Sequence, residues 1–563
     1  MDPPQKARTG FVGKAKIIAA ATFLSRVLAL VRESVFAYIF GTKGAMDSWA
    51  VAFMVPNLFR RLFGEGALSA AFIPIYSEAL ESGDKELAQR LGRATLWLLL
   101  VTLSGVVLVG ELVILGLGWI FGDNPDTALT LILAAIVLPY VILICLVALI
   151  GGMLNARYHF SCPALAPVIL NVFMIAAALW VTGLLGGDLS RKIFALCVGV
   201  MVGGVAQLIL VLVPLKRMGV SLRWLWQPQM EQIARIVKLT GPMVLGLGVL
   251  QINALMDYLW VTWLAAPPGQ ILTTIGSRVV YYPETAGARA VLYYSQRLYN
   301  VPLGVFGIAL ATAVFPYFTS YAGRGDHAGL VKTLVKGLRL VAFIGVPATV
   351  GLMIISRPIV EFILGGGLSG ILTLGPGQFD ASGVTRVSTT LAFYCLGIWA
   401  YCGVHVVVRG FYALQDTITP VKVGAALVAL NIPLNLILIW PLGTGGLALS
   451  TAICATLNLA ILTRLLHKKI EKLPPSAGQL RETKPQAPLA DLARCLPKII
   501  LATVLMAAAA CGALVLTEHW VGSAVQQSGI RLAAGVLAGI LVYYLAAKLL
   551  GCKELAELLG RGS

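Results

Sequence analysis

The sequence predicts an all-α polytopic membrane protein with about fourteen transmembrane helices. Of its 563 residues, 58% are hydrophobic and only 12% are charged, and the mean hydropathy is +0.87. A soluble domain carries roughly 25% charged residues, so this chain lacks the polar side chains that would cover an apolar core in water. Long apolar runs recur from end to end, and Lys and Arg residues concentrate on alternate connections between them.

The apolar runs are long enough to cross a bilayer. A hydrocarbon core about 30 Å thick requires about 20 apolar residues in a helix. The first run lacks a small-residue cleavage site, so we interpret it as a retained span rather than a signal peptide. The predicted spans are 16–40, 48–78, 94–121, 128–154, 163–186, 192–215, 237–265, 289–321, 330–356, 385–412, 420–441, 445–467, 495–517 and 529–551.

The basic residues on the connections predict the orientation. Cytoplasmic loops carry an excess of Lys and Arg. The N-terminal segment, the connections after the second, sixth, eighth and twelfth spans, and the C-terminal tail hold most of these residues. Both termini are therefore predicted to be cytoplasmic. The same bias explains the net charge of +18, so no nucleic-acid partner is expected.

Matching motifs relate one half of the chain to the other. Pro74 and Gly83-Asp84 match Pro316 and Gly325-Asp326, and Ala156 and Pro163 match Ala413 and Pro420. Each half has six spans and hence the same orientation, a transporter architecture with its substrate site between the halves. The domain prediction is two lobes, 1–220 and 221–470, a proline-rich cytoplasmic linker, 471–493, and two further helices in 494–563.

Two connections carry further predictions. The stretch 224–236 is expected to form a short cytoplasmic interfacial helix. The outside loop 267–289, which contains the sequence VVYY, is expected to form a small hairpin or lid.

Ionisable side chains occur inside four predicted spans, the first, second, eighth and tenth, the last of which holds Arg409. Such residues cost about 2.5–3.5 kcal/mol at a helix centre and are functional candidates. The helical spacings can pair Arg61 with Glu65 and Arg26 with Glu33. Arg32, Arg60 and Arg297 then remain as surplus positive charge. This surplus predicts a water-filled cavity, an anionic ligand or both, and arginine suits phosphate because its planar fork donates two hydrogen bonds. The alternative is a structural ion-pair network, which the small number of carboxylates disfavours.

Sequence motifs for enzymatic chemistry are absent. The nine cysteines include no C-x-x-C, which gives no indication of a disulfide framework or a zinc site. Neither a phosphate-binding loop for ATP nor an H-E-x-x-H motif occurs. We therefore predict a transporter without a cofactor, driven by a gradient or by the membrane potential, rather than an enzyme.

Several segments closely resemble the MurJ/MviN family of lipid II flippases, in the multidrug/oligosaccharidyl-lipid/polysaccharide superfamily. They are FLSRVL at 23–28, Arg32-Glu33, Asp47, VPNLFRRLFGEGA at 55–67, YYSQRL at 293–298 and GFYALQDTITPVK at 410–422. The likeness covers essentially all the predicted spans. It implies two lobes in a V around a central cationic cavity with alternating access, and a groove for the polyprenyl tail formed by the last two helices.

The resemblance also implies site residues. A lipid-diphosphate headgroup would be held by Arg26, Arg32, Arg60, Arg61 and Arg297. Asp47 and Glu65 match acidic positions of the family, and Glu33 stands where the family often has Asp.

A sodium site of some family members is the second implied site. It corresponds here to Asp257, Asn431, Asn435, the backbone of Leu447, and Thr451. Asn435 stands where Asp is expected, which removes a charge, and interhelical hydrogen bonding is an equal alternative for the two asparagines.

The predicted function is a flippase of the bacterial inner membrane for the undecaprenyl-diphosphate-linked peptidoglycan precursor, lipid II. The alternatives are export of another lipid-linked glycan, or a membrane-embedded glycosyl- or phosphotransferase. Membrane lipids and cell-wall synthesis proteins are the other expected partners, and the protein is expected to act as a monomer.

Overall fold

A computed structural model of the chain describes residues 5–64, 67–221, 223–227, 230–266, 272–275, 278–371, 377–472, 488–521 and 527–558. Glu65 and most of the predicted linker 471–493 lie outside these residues. The described chain is helical except for one β-hairpin and the connections, which confirms the predicted all-α class. It forms two units, Met1–Leu255 and Met256–Ser563. The predicted lobe boundary at 220/221 stays a prediction.

The first unit contains eleven helices and the beginning of a twelfth. They are α1 (Gln5–Phe40), α2 (Gly44–Ala52), α3 (Met54–Phe59), α4 (Ala67–Glu81), α5 (Lys85–Phe121), α6 (Pro125–Val137), α7 (Tyr140–Ala156), α8 (Ser161–Ala176), α9 (Thr182–Leu185), α10 (Leu189–Lys192), α11 (Phe194–Arg217) and α12 (Glu231–Leu264). Two π-helical segments, Arg60–Gly64 and Ala177–Val181, interrupt this series.

The second unit begins within α12 and contains the remaining helices. These are α13 (Ala288–Pro302), α14 (Ile308–Gly323), α15 (His327–Ile354), α16 (Ser356–Ile363), α17 (Gly367–Ile371), α18 (Ala381–Cys395), α19 (Ile398–Ala413), α20 (Ile418–Leu442), α21 (Thr444–Glu471), α22 (Pro488–Val521), α23 (Ser528–Leu549) and α24 (Lys553–Leu558). A third π-helical segment, Leu303–Gly307, separates α13 from α14.

Both connections with special predictions are described in part. Strands β1 (Leu272–Ile275) and β2 (Arg278–Tyr281) pair antiparallel, with Leu272 opposite Tyr281, so the predicted hairpin is confirmed. The predicted interfacial helix at 224–236 is wrong in its first half. Residues 223–227 are not helical, and α12 begins at Glu231.

The predicted count of fourteen spans is not confirmed. Among the described residues, nine helices are long and apolar enough to cross a membrane, or ten if the bent pair α18–α19 is one span. The predicted spans outside this set are 16–40, 48–78, 237–265 and 289–321. They lie in α1, α2–α4, α12 and α13–α14, the helices that carry the predicted charged site residues.

The repeat predicted from sequence spacing recurs in the backbone geometry. Gly83 and Gly325 have φ of +78° and +67°, a left-handed conformation that glycine adopts readily. The next residue caps a long helix in both units. Asp84 Oδ1 accepts a hydrogen bond from Leu87 N at 2.8 Å, and Asp326 Oδ1 accepts one from Gly329 N at 2.8 Å. Each cap starts a helix that crosses the membrane, α5 or α15.

The second motif pair has a matching helix end. Helices α7 and α19 end at Ala156 and Ala413, and two residues later Tyr158 and Gln415 have φ of +61° and +57°. These are the non-glycine residues with positive φ in the described part of the chain. The repeat therefore extends to backbone turns that the proline and glycine spacing did not specify.

Small residues allow the helices of the first unit to approach closely. A Cβ on Gly199 of α11 would lie 2.9 Å from the Ala177 Cβ, closer than real Cβ atoms approach, and 3.0 Å from the Met174 Cα of α8. In lipid, where burial of apolar surface gives no drive for helix association, such packing is a main source of helix–helix affinity. It fixes α8, which carries a residue of the candidate site.

Candidate functional site

Arg32 is held from several directions inside the first unit. Its side chain is buried on α1, and Nη1 donates a hydrogen bond to Asn171 Oδ1 of α8 at 2.8 Å. Nη2 forms an ion pair with Glu33, and the guanidinium lies 5.8 Å from the centre of the Phe36 ring. The expectation that Arg32 is surplus charge is therefore wrong. Adjacent helix positions do not face each other, but the long arginine side chain folds back onto its neighbour.

Asn171 is a site residue that the sequence analysis missed. Besides accepting from Arg32, its Nδ2 donates to the Ser25 main-chain oxygen at 3.2 Å, so it joins α8 to α1 at two points. The sequence could have indicated Asn171, because it is an amide side chain inside the apolar span 163–186. Such side chains usually hydrogen-bond to another helix.

Arg60 and Arg61 begin the first π-helical segment. Arg60 Nε and Nη2 donate to Asn57 Oδ1 at 3.2 and 3.1 Å, and Arg61 Nη1 approaches Gln251 Oε1 of α12 at 3.4 Å. Both side chains are partly exposed. Single-turn π segments are frequent at functional sites, and here one contains two successive arginines.

The remaining headgroup candidates lie in several elements. Arg26 is partly buried on α1, and Asp47 is buried in the first turn of α2. Arg297 belongs to the second unit, on α13, with its guanidinium 5.0 Å from the centre of the Tyr293 ring. Glu65 is outside the described residues. The structure thus brings Arg32 and Glu33 together, and the headgroup-binding roles stay predictions.

The predicted sodium-site residues form one buried cluster in the second unit. Asn435 Nδ2 donates to Asp257 Oδ1 and to Asn431 Oδ1, each at 2.8 Å. Asn431 Nδ2 donates to Ser450 Oγ at 3.2 Å, and Ser450 in turn hydrogen-bonds to Asn435 Oδ1. Asp257, Asn431, Asn435 and Ser450 are all buried. Ser450 was not predicted, and it closes the network between α20 and α21.

The oxygens of this cluster are largely occupied by its own donors. The Leu447 carbonyl accepts from Ser450 Oγ at 2.8 Å and from Thr451 Oγ1 at 2.9 Å. Asp257 is its one acid, and the described chain has no group of three or more His, Cys, Asp or Glu residues that could hold a metal. An amide donor, rather than an oxygen, lies between Asp257 and Asn431. The arrangement fits interhelical hydrogen bonding, and the sodium site stays a prediction.

Buried ion pairs outside both clusters also escaped the sequence analysis. Arg386 Nη2 contacts Glu284 Oε2 at 2.9 Å, and Glu284 also accepts from the main-chain N of Thr444 at the start of α21. Arg531 of α23 pairs with Glu361 of α16 at 2.7 Å. Within the second unit, they attach the connection after the hairpin to α18 and α21, and α23 to α16.

Two helical units built on one repeat, with charged residues on interrupted helices, define a multi-pass membrane transporter. The chain belongs to the lipid II flippase MurJ family, whose family model matches residues 36–530. It is accordingly a multi-pass protein of the inner membrane and a transporter rather than an enzyme. The family identified from the sequence motifs is confirmed.

Curated relatives and solved structures agree with this assignment. The probable lipid II flippase MurJ of Vibrio cholerae serotype O1 is 35% identical over 463 residues, which is 80% of this chain and 82% of the relative. The Haemophilus influenzae protein of the same name is 33% identical over 466 residues, which is 79% of this chain and 84% of the relative.

Similarity of fold extends further. The solved structure of a lipid II flippase MurJ in an inward closed conformation matches with a TM-score of 0.70 at 22% identity, over 95% of this chain and 99% of that one. An inward-facing MATE multidrug transporter of the MOP superfamily matches with a TM-score of 0.62 at 13% identity, over 81% of this chain and 98% of that one. At these identities the likeness concerns the fold alone.

Proposed function

We propose that this protein moves lipid II, the undecaprenyl-diphosphate-linked peptidoglycan precursor, from the inner to the outer leaflet of the cytoplasmic membrane by alternating access. The observation that carries the proposal is the family match over residues 36–530, together with relatives that are named lipid II flippases. Both termini are placed in the cytoplasm, as the positive charges of the connections indicate. The working unit is a monomer.

The headgroup diphosphate is bound by Arg26, Arg32, Arg60 and Arg61 of the first unit together with Arg297 of the second. Support comes from the way these side chains are held. Arg32 is fixed by Asn171 and Glu33, and Arg60 is fixed by Asn57. A guanidinium oriented before the ligand arrives loses less conformational entropy on binding, which increases affinity. The polyprenyl tail lies along the C-terminal helices α22 and α23.

Growth of a strain depleted of its own flippase tests this function. The wild-type chain is expected to restore growth, whereas Arg32→Ala, Arg60→Ala and Arg297→Ala are expected to abolish it at normal protein levels. Arg191→Ala is the matched control, because Arg191 is an exposed arginine outside the candidate site. Full growth with all three single variants would refute headgroup binding by these arginines. Failure of the wild-type chain, produced at a normal level, would refute lipid II as the substrate.

A further inference from the structure

Three tryptophans form a cluster of rings beside the connection between α11 and α12. Trp97 of α5 and Trp224 have ring centres 4.7 Å apart, and Trp224 and Trp226 are stacked at 6.2 Å. Trp97 Nε1 also donates a hydrogen bond to the Arg223 main-chain oxygen at 3.1 Å. The connection is therefore fixed to α5, one turn beyond Arg93, close to the point where the apolar span 94–121 begins.

This connection has apolar residues both on its inner side and on its outer side. Val220 is buried, and Leu225 packs against the hydrophobic core of the first unit. Trp224 and Trp226 remain 60% and 43% exposed. Large aromatic side chains at the end of a membrane span locate at the level of lipid headgroups, where their rings are apolar and their N–H groups meet polar atoms.

Four basic residues lie close along the chain to this cluster: Arg93 is four residues before Trp97, Arg223 directly precedes Trp224, and Lys216 and Arg217 lie in the last turn of α11. Lys216, Arg217 and Arg223 are exposed, and Arg93 is partly exposed. None of the four forms an ion pair within the described part of the chain, where the nearby Arg90 and Arg235 are paired with Glu86 and Glu78. Glu231, exposed at the start of α12, is the acidic residue next along the chain. The positive charge of this patch is therefore available to an external anion.

We propose that Arg93, Lys216, Arg217 and Arg223, with Trp224 and Trp226, form a binding site for the anionic headgroup of a membrane phospholipid. The basic side chains contact the phosphate, and the tryptophans lie between the glycerol and the upper acyl chain. Basic clusters next to a span attract anionic lipids, and the aromatic rings favour a lipid over a soluble phosphate. The site lies on the connection that leads from the first six-helix half into α12, and it includes none of the arginines proposed to bind lipid II.

Native mass spectrometry of the purified full chain tests the site. Equal amounts of phosphatidylglycerol and phosphatidylcholine are added, and the ratio of the two bound lipids is measured. Each basic residue near a lipid surface favours anionic lipid about fivefold, so we expect a clear preference in the wild type that falls by roughly tenfold or more in Lys216→Gln/Arg217→Gln/Arg223→Gln.

The matched control is Arg464→Gln/Lys468→Gln/Lys472→Gln, which removes the same charge from exposed residues at the end of α21. Among the described residues, none of the tryptophan ring contacts involves this helix end, and the control is expected to keep the preference. An equal loss in both triple variants would indicate general charge attraction and overturn the site. An unchanged ratio in the first triple variant would overturn it as well.

Replacing the aromatic pair separates lipid from free phosphate. Trp224→Ser/Trp226→Ser is expected to lower phosphatidylglycerol binding several-fold while leaving the thermal midpoint of unfolding within a few degrees of the wild type. Displacement of the lipid by millimolar inorganic phosphate in the wild type would show that the patch binds phosphate alone, and would overturn a lipid site.

Discussion

The two units share their backbone turns and differ in their buried polar chemistry. Asp84 and Asp326 cap α5 and α15 with the same geometry, and Tyr158 and Gln415 adopt the same left-handed conformation. In the first unit, the buried polar cluster centres on a cation, Arg32. In the second unit, it centres on an acid, Asp257, surrounded by amides and hydroxyls.

This difference shows that the repeat determines where helices begin, end and bend, but not which charged side chains they carry. Helix ends depend on main-chain hydrogen bonds and local φ angles. A buried polar side chain depends instead on a partner from another helix, so it can change without altering the turns. We therefore expect the first unit to carry the anion-binding function and the second unit to respond weakly to loss of its acid.

Loss of the cation in the first unit is expected to have the largest effect. Arg32→Ala removes a buried charge and leaves Glu33 without this ion-pair partner, and truncating one member of such a pair costs about 2–5 kcal/mol. We expect binding of lipid II to weaken by more than about 30-fold in native mass spectrometry. The same lipid without its diphosphate is expected to bind the wild type and the variant equally. Equal binding of both lipids by both proteins would mean that the tail alone provides the affinity.

Removal of the amide that holds Arg32 is expected to have an intermediate effect. Asn171→Leu deletes the oxygen that accepts from Arg32, and an unsatisfied buried donor costs about 1–3 kcal/mol. We expect lipid II affinity to fall roughly 5- to 30-fold, with partial recovery in Asn171→Gln. Val172→Ala, at an exposed position one residue later on α8, is the control. Wild-type affinity in Asn171→Leu would show that Arg32 does not need this contact.

Equivalent turns of the two units are expected to differ in their response to pH. Burial alone would raise the pKa of Asp416, but hydrogen bonds from Lys469 and from the amide and hydroxyl of Thr419 lower it to about 2. At the corresponding turn of the first unit, His159 Nε2 contacts Cys162 Sγ at 3.3 Å.

Because the folded-state pKa of Asp416 lies below the unfolded value of about 3.9, its stabilising contribution is present above that pH and is lost as the pH falls toward 2. Asp416→Asn is therefore expected to lower the free energy of unfolding by about 1 kcal/mol at pH 7. The difference from the wild type should shrink between pH 5 and pH 3. A difference independent of pH would exclude the Asp416 carboxylate as its source.

Neutralising the acid of the second unit is expected to have the smallest effect. Asp257→Asn keeps an oxygen that accepts from Asn435, so the hydrogen-bond network persists and the midpoint of unfolding should shift by no more than a few degrees. Growth should be restored as well as by the wild type, in sodium-rich and in sodium-depleted medium. A stabilisation of the wild type by NaCl over KCl that disappears in Asp257→Asn would instead support the sodium site implied by the family resemblance.

Much of the fold follows from the order of residues along the chain. Apolar runs predict spans because lipid requires about 20 apolar residues whatever the neighbouring helices are. Pro74, Gly83 and Asp84 predict a helix boundary because their conformational preferences act within a few residues. The family resemblance predicted that Asp257, Asn431 and Asn435 belong to one site, and in the structure Asn435 hydrogen-bonds to both of the others.

Only the tertiary structure decided the partners of the buried polar groups. The contact between Arg32 and Asn171 joins residues 139 positions apart, and that between Arg386 and Glu284 joins residues 102 positions apart. Arg32 also pairs with its chain neighbour Glu33, a contact that helical spacing does not predict. Contacts between residues far apart in the chain depend on which helices pack together and on how far one helix is shifted along the other. The residue pattern of a single helix specifies neither.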